Sequence, residues 1–262
     1  MRIDIWSDIA CPWCFIGKRR FERALVGFAH RDDVQVSWHS YQLDPDLPEH
    51  YDGAELDYLA GRKGMTPEQV RRMFDHIGGV AAGEGLRYDF GSLVVANSLR
   101  AHELVHLAAA HGLDGPVNEA LLSAHFEHGE DIGSLEVLVR IGTAAGLDGS
   151  EVEQALADGR YRAAVQSDIR RAGSLGIQGV PFFVLDDKYG VSGAQPTEVF
   201  SETLEQVWRE ANPLVMVSPV AAEDDPACGP DGCVIPGRSA VPARAPQPAA
   251  ARSARHSDRS IE

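Results

Sequence analysis

Long hydrophobic runs are missing from this 262-residue chain. Nothing in it approaches the roughly 20 uninterrupted apolar residues that a membrane-spanning helix needs. No apolar stretch of signal-peptide length precedes the first cysteines either, because alternation begins at once in Arg2-Ile3-Asp4-Ile5-Trp6-Ser7-Asp8. The expected address is therefore the cytoplasm, with no membrane partner. Basic residues are also short: 24 Lys and Arg stand against 39 Asp and Glu, a net charge of −15. A field of that sign repels phosphate and argues against nucleic acid as a partner. Cysteine is scarce. Cys11, Cys14, Cys228 and Cys233 form two close pairs at opposite ends of the chain. In a reducing compartment such pairs are more often redox-active or metal-binding than structural.

With 44% hydrophobic residues the chain can bury a substantial core, as one large domain or a domain carrying an insertion. Ile3 and Ile5 alternate with polar residues as in a half-buried strand that ends just before the first cysteine pair. Phe21, Leu25 and Phe28 then recur at helical spacing, and Lys18, Arg19 and Arg20 read as a solvated helix face. Val34-Gln35-Val36-Ser37-Trp38 alternates as a second strand, and Leu43-Asp44-Pro45-Asp46-Leu47-Pro48 is an exit loop. From 53 to 178 the chain is Ala-, Leu- and Glu-rich with no convincing strand. Thr66-Pro67-Glu68-Gln69 opens one helix there with a capping residue and a first-turn proline. Further starts are expected near Asn97, Pro116, Ser134, Ser150 and Tyr161. Strand character returns at Pro181-Phe182-Phe183-Val184-Leu185, followed by a hairpin through Asp186-Asp187-Lys188 and an amphipathic helix over 196–208. The last twenty-five residues show no periodicity and are expected to be disordered from about 238. They carry five Arg against Asp258 and Glu262, which is +3, so the remaining 237 residues hold −18 of the total −15.

Thiol–disulfide exchange needs a thiolate that attacks, a second thiol that releases the mixed disulfide, and a frame that holds the two. Cys11-Pro12-Trp13-Cys14 stands where a strand ends and a helix begins. There the helix dipole and unpaired N–H groups favour the thiolate of Cys11. Cys14, one turn further in, is expected to be the more buried, resolving thiol. Pro12 suits the first helical turn, and Trp13 adds apolar surface beside the sulfur. Half of a zinc site, or two small buried hydrophobes, are the plain alternatives for a bare C-x-x-C. Pro181 begins a strand in Gly179-Val180-Pro181-Phe182, a position that tolerates proline and would suit a cis bond. Asp8 is expected either to relay a proton near Cys14 or to cap the helix. Asn97, Arg100 and His102 are candidates to line a cleft. His102 and His106, like His125 and His128, have no third ligand in view, so no metal site is expected and core or surface roles are preferred.

These features resemble the DsbA family of the thioredoxin superfamily, and within it the FrnE-like branch. The resemblance rests on Asp8-Ile9-Ala10-Cys11-Pro12-Trp13-Cys14-Phe15-Ile16-Gly17, Tyr41-Gln42-Leu43-Asp44-Pro45, Ala96-Asn97-Ser98-Leu99-Arg100-Ala101-His102 and residues 176–184. It spans about residues 1–210. It implies an α/β thioredoxin fold from 1–52 and 179–212, interrupted by an inserted α-helical domain over 53–178 and followed by a flexible extension over 213–262. Cys11 is implied as nucleophile, Cys14 as resolving thiol and Pro181 as a cis-proline beside them. Val180 would pair its backbone with a bound peptide, and Pro12, Trp13, Asn97 and Arg100 would meet substrate. Trp13 stands where the periplasmic members carry histidine, which removes one source of thiolate stabilisation. Protein or small-molecule thiols are the implied partners. No cofactor is implied beyond glutathione as a co-substrate.

Cys228-Gly229-Pro230-Asp231-Gly232-Cys233 is a C-x4-C on a segment that lets the two sulfurs approach within disulfide range. Seventeen steps separate it from Ala211, about 56 Å if extended. The pair could exchange electrons with Cys11 and Cys14, staple a loop, or share a zinc site with them. Two rival functions accompany the redox reading. One is a glutathione-dependent isomerase or transferase of the 2-hydroxychromene-2-carboxylate isomerase or kappa-class type, whose members generally do not keep both cysteines. The other is a redox-sensing peptide-binding or chaperone-like module.

Overall fold

The first strand, β1 (Arg2–Ser7), is buried on both faces rather than one. Ile3 and Ile5 pack with Phe21 of α1 (Pro12–Gly27), with Phe28 just past its end, and with Phe200 and Leu204 of the last helix. Trp6, pointing the other way, packs with Ala172, Ile177 and Val184. Asp4 is buried as well, against Arg2, His39 and Arg171. The half-buried strand expected from alternation is thus corrected. The polar residue between two isoleucines faces charged partners brought from far along the chain, not water.

The structure is a computed structural model that describes residues 1–48, 51 and 53–214, with the backbone of 228–229 and 232–233. Its main sheet has the order β2-β1-β3-β4, where β2 is Gln35–Ser40, β3 Phe182–Leu185 and β4 Tyr189–Ser192. β1 runs parallel to β2, with Ile5 opposite Trp38, and antiparallel to β3, with Ile5 opposite Phe183. Parallel neighbours require a crossover, which α1 supplies. Antiparallel β3 and β4 are joined by a tight turn in which Asp186 and Asp187 both take positive φ, 48° and 54°. Asp is among the few residues that tolerate this region.

Among the described residues, seven helices lie between β2 and β3: α2 (Glu55–Lys63), α3 (Pro67–Gly83), α4 (Leu99–Ala110), α5 (Asp114–His128), α6 (Leu135–Ala144), α7 (Gly149–Ala157) and α8 (Arg162–Ser174). A final helix, α9 (Thr197–Ala211), returns to the sheet. Local chemistry sets the starts. Thr66 and Gln69 form a reciprocal capping box, and Asp148 accepts from the Glu151 N–H. The inserted helices enclose their own core, centred on Leu104, Leu107, Leu121, Leu138 and Val152. Each such fully buried side chain contributes about 1.5–3 kcal/mol. Phe15 and Ile16 of α1 belong to this second core, whereas Phe21 belongs to the first. The redox helix is therefore wedged between sheet and helices.

Charged groups bridge the same junction. His39 of β2 lies between Asp4 (2.6 Å) and Asp168 of α8 (2.9 Å), and Asp168 also reaches His106 of α4 at 3.0 Å. Lys18, Arg19 and Arg20 are not a solvated face. Lys18 is buried against Glu22 and Glu119, Arg19 pairs with Glu119, and Arg20 pairs with Glu84 at 2.6 Å. α1 turns this basic stripe towards carboxylates of the inserted helices.

Among the described residues no helix is long and apolar enough to cross a membrane. The chain divides into two compact units, Met1–Pro213 and Leu214–Glu262. In the second, β5 (Cys228–Gly229) and β6 (Gly232–Cys233) pair antiparallel with Cys228 opposite Cys233. The disorder expected from about 238 lies outside the described residues.

Candidate active site

Cys11 is the N-cap of α1, and Pro12 is its first residue. An N-cap side chain ordinarily accepts from the N–H groups of the first turn. The thiol makes no such bond here and instead donates to the Val180 carbonyl oxygen, with Sγ at 3.5 Å. The Val180–Pro181 peptide is cis. The two ends of the chain, 169 residues apart, thus meet at one sulfur.

Cys11 is 3% exposed and Cys14 1%. The Cys14 sulfur accepts from the Asp8 N–H at 3.4 Å. Burial first, and the neighbouring Cys11 second, push the Cys14 thiol well above its ordinary value. A thiol held protonated is a poor attacker but becomes competent once Cys11 carries a mixed disulfide instead of a charge.

Asp8 does not cap α1. Its carboxylate accepts from Ala10 N–H (3.2 Å), Leu43 N–H (2.7 Å) and the His102 ring at 3.2 Å. Although burial opposes it, the hydrogen bond and charge of His102 and the Leu43 N–H hold this carboxyl below the usual range. His102 is accordingly a core histidine paired with Asp8, and His106 serves Asp168. His125 is buried and neutral, pushed down to about 4 by burial. Among the described residues no group of His, Cys, Asp or Glu is arranged to hold a metal.

Asn97 and Arg100, expected to meet substrate, have partners inside the fold. Asn97 donates to the Leu47 carbonyl at 2.5 Å and accepts from Gln42 at 3.0 Å, which holds the exit loop. Arg100 donates to the Gly133 carbonyl at 3.5 Å. Trp13 is half-buried against the helical core, its ring 6.2 Å from that of His76.

Three residues of this region were not singled out from the sequence. Tyr88 donates its hydroxyl to the Pro12 carbonyl at 2.7 Å. Gly17 lies against Pro181: a Cβ there would stand 2.8 Å from Pro181 Cγ and 3.4 Å from Ala194 Cβ. A glycine inside a helical pattern was the available signal. Alanine at this position gains up to about 1 kcal/mol of helix propensity, but overpacking costs roughly 1–3 kcal/mol. Gly17→Ala is therefore expected to be less stable than wild type in urea titration and slower in thiol exchange. A more stable variant would contradict this packing. The third residue is Glu55, which lines a cavity of about 140 Å³ with Asp8, Ala10, Tyr58 and Ser98, and burial pushes its carboxyl up to about 7.

A thioredoxin-like sheet that presents a Cys-x-x-Cys at a helix N-terminus, opposite a cis-proline loop, defines a dithiol–disulfide centre. The model of the DSBA-like thioredoxin domain matches residues 2–205, and the chain belongs to that family. The crystal structure of a probable DsbA oxidoreductase from Streptomyces coelicolor is similar, with 44% identity and a TM-score of 0.78, covering 90% of this chain and all of that one. The protein YwbO of Bacillus subtilis (strain 168), itself uncharacterised, is 25% identical over 206 residues, 78% of this chain and 96% of its own length. The cytosolic disulfide reductase DsbM of Pseudomonas aeruginosa, solved with GSH, shares the fold at 21% identity and a TM-score of 0.58, covering 80% of this chain and all of that one.

Proposed function

We propose that the protein is a thiol–disulfide oxidoreductase in which Cys11 attacks and Cys14 resolves. The observation that carries the reading is the Cys11 sulfur at the N-cap of α1, 3.5 Å from the Val180 oxygen and beside the cis Pro181, with a buried second thiol one turn away. In the reductive direction the Cys11 thiolate attacks a substrate disulfide, forms a mixed disulfide and releases one substrate thiol. Cys14 then loses its proton and attacks the Cys11 sulfur, which releases the second thiol and leaves Cys11–Cys14 oxidised. Two electrons pass to the substrate, and the reverse sequence oxidises a dithiol.

Extended polypeptides or small thiols suit the Val180 edge, with Pro12 and Trp13 beside the reacting sulfur, and glutathione is the co-substrate we assign for restoring the dithiol. Cytoplasmic action accords with that choice, since glutathione keeps thiols reduced there. Retention of Cys14 speaks against the isomerase and transferase reading. Insulin reduction with dithiothreitol as electron donor tests the function. Wild type should accelerate insulin precipitation, whereas a protein that only suppresses aggregation of unfolded chains is the binding module instead.

We further propose that the second pair exchanges electrons with the first; the register that sets Cys228 opposite Cys233 lets the second pair form the disulfide such an exchange requires. Under mild oxidation, mass spectrometry of Cys14→Ser should find Cys11 joined to Cys228 or Cys233. If no such species forms, the pair is a loop staple or part of a zinc site.

A further inference from the structure

We infer that Tyr88 is a positioning residue of the thiol centre: the hydroxyl it donates to the Pro12 carbonyl sets the Trp13 N–H on the Cys11 sulfur and so favours the thiolate. The inference rests on the redox reading above and deepens it.

In the resting thiol, Cys11 is a donor to the Val180 oxygen. When the proton leaves, the sulfur becomes an acceptor only, and it must find N–H groups. The first turn of a helix supplies them, because its N–H groups lack intrahelical acceptors. From an N-cap, the side chain reaches the second and third helical residues, here Trp13 and Cys14. The Cys14 N–H is already given to the Cys11 carbonyl at 3.0 Å. Pro12 has no N–H. Trp13 therefore supplies the donor for the thiolate.

The Trp13 N–H and the Pro12 carbonyl belong to one peptide group, and Tyr88 holds the far side of it. A second hydrogen bond at the carbonyl, beside the intrahelical one, further restrains the rotation of that planar unit. It also polarises the amide, which strengthens the N–H at the other end. Satisfying the carbonyl is not the reason for the contact, since geometry already gives a first-turn carbonyl an intrahelical donor four residues on. The ring is held rigidly: its centroid is 5.0 Å from Phe126, 5.7 Å from Phe90 and 6.2 Å from Phe15. Burial, and then the charges of Cys11 and Cys14, keep the phenol far above its ordinary value, so it remains a donor throughout the working range. Tyr88 comes from the inserted segment, 76 residues from Pro12. Through it the helical insertion acts directly on the dithiol.

Tyr88→Phe tests this, because it removes one oxygen and keeps the ring. The reduced variant should develop its 240 nm thiolate absorbance at higher pH than wild type. Its equilibrium with reduced and oxidised glutathione should move towards the protein disulfide, because the lost bond stabilised the reduced form. Loss of a bond acting through one amide is expected to shift that equilibrium about threefold, which is about 14 mV at 29.6 mV per tenfold. Curves superposable on wild type, with unchanged far-UV circular dichroism, would overturn the assignment. If the variant does not fold, wild type carrying ring-labelled tyrosine provides the second measurement. The Tyr88 Cζ resonance should move with the thiolate absorbance, and a resonance flat through that transition also overturns the assignment. Failure of wild type to accelerate insulin reduction would instead overturn the proposed function.

Discussion

Cys11→Ser should lower turnover in insulin reduction by at least about a thousandfold, to the uncatalysed background, because a serine hydroxyl offers no thiolate to begin the exchange. Cys14→Ser should behave differently. With Cys11 intact and no external thiol present, one substrate thiol per reduced enzyme molecule should be released in a burst, after which the mixed disulfide accumulates. The asymmetry follows from placement. Cys11 stands at the helix N-terminus beside Val180, whereas Cys14 is 1% exposed and its thiol is held protonated by burial and by Cys11. Added dithiothreitol or glutathione should then give Cys14→Ser turnover by attacking the mixed disulfide from outside, and should do nothing for Cys11→Ser. Quenched-flow counting of released thiol, with mass spectrometry of the trapped adduct, separates the cases. A burst that survives Cys11→Ser, or vanishes in Cys14→Ser, would reverse or remove the assigned roles.

Features built from neighbouring residues were legible in the sequence. Helices start at Ser134 and Tyr161, where starts were expected, and Thr66 with Gln69 makes its capping box, which is satisfied within one turn. The strand–helix junction at Cys11 was equally local. What escaped was polar chemistry satisfied at long range. Asp4 alternates with Ile3 and Ile5 and looks solvent-facing, yet its partner His39 arrives 35 residues later. Lys18 and Arg19 look like a wet helix face until Glu119 arrives, about 100 residues on. Tyr88 carries no spacing signal at all, since its meaning lies in a carbonyl of the redox turn. Asn97 was visible, but its role was not: an amide that binds a loop and one that binds substrate have the same sequence signature.

Asp8 shows how much of the centre depends on such long-range satisfaction, and it sets the second large expectation. Asp8→Ala should lower stability by about 3–5 kcal/mol, because several buried donors lose their acceptor at about 1–3 kcal/mol each. The substitution strips the acceptor from Ala10 N–H, Leu43 N–H and the buried His102 ring together. Asp8→Asn retains the shape and one acceptor oxygen, and should cost about half as much. His102→Ala combined with Asp8→Ala should cost less than the sum, with a coupling of roughly 0.5–3 kcal/mol. The pH dependence has a definite sign. A carboxyl held below its unfolded value of about 3.9 stabilises the native state above that pH, and the contribution is lost as pH falls through the folded value. Between about pH 5 and pH 3 wild type should therefore lose stability more steeply than Asp8→Asn, which has no carboxyl to protonate. Urea titrations at pH 3, 4, 5 and 7 read this directly. Parallel profiles for the two proteins would show that the Asp8 charge contributes nothing to folding, leaving only its backbone N–H on the Cys14 sulfur as a link to the chemistry.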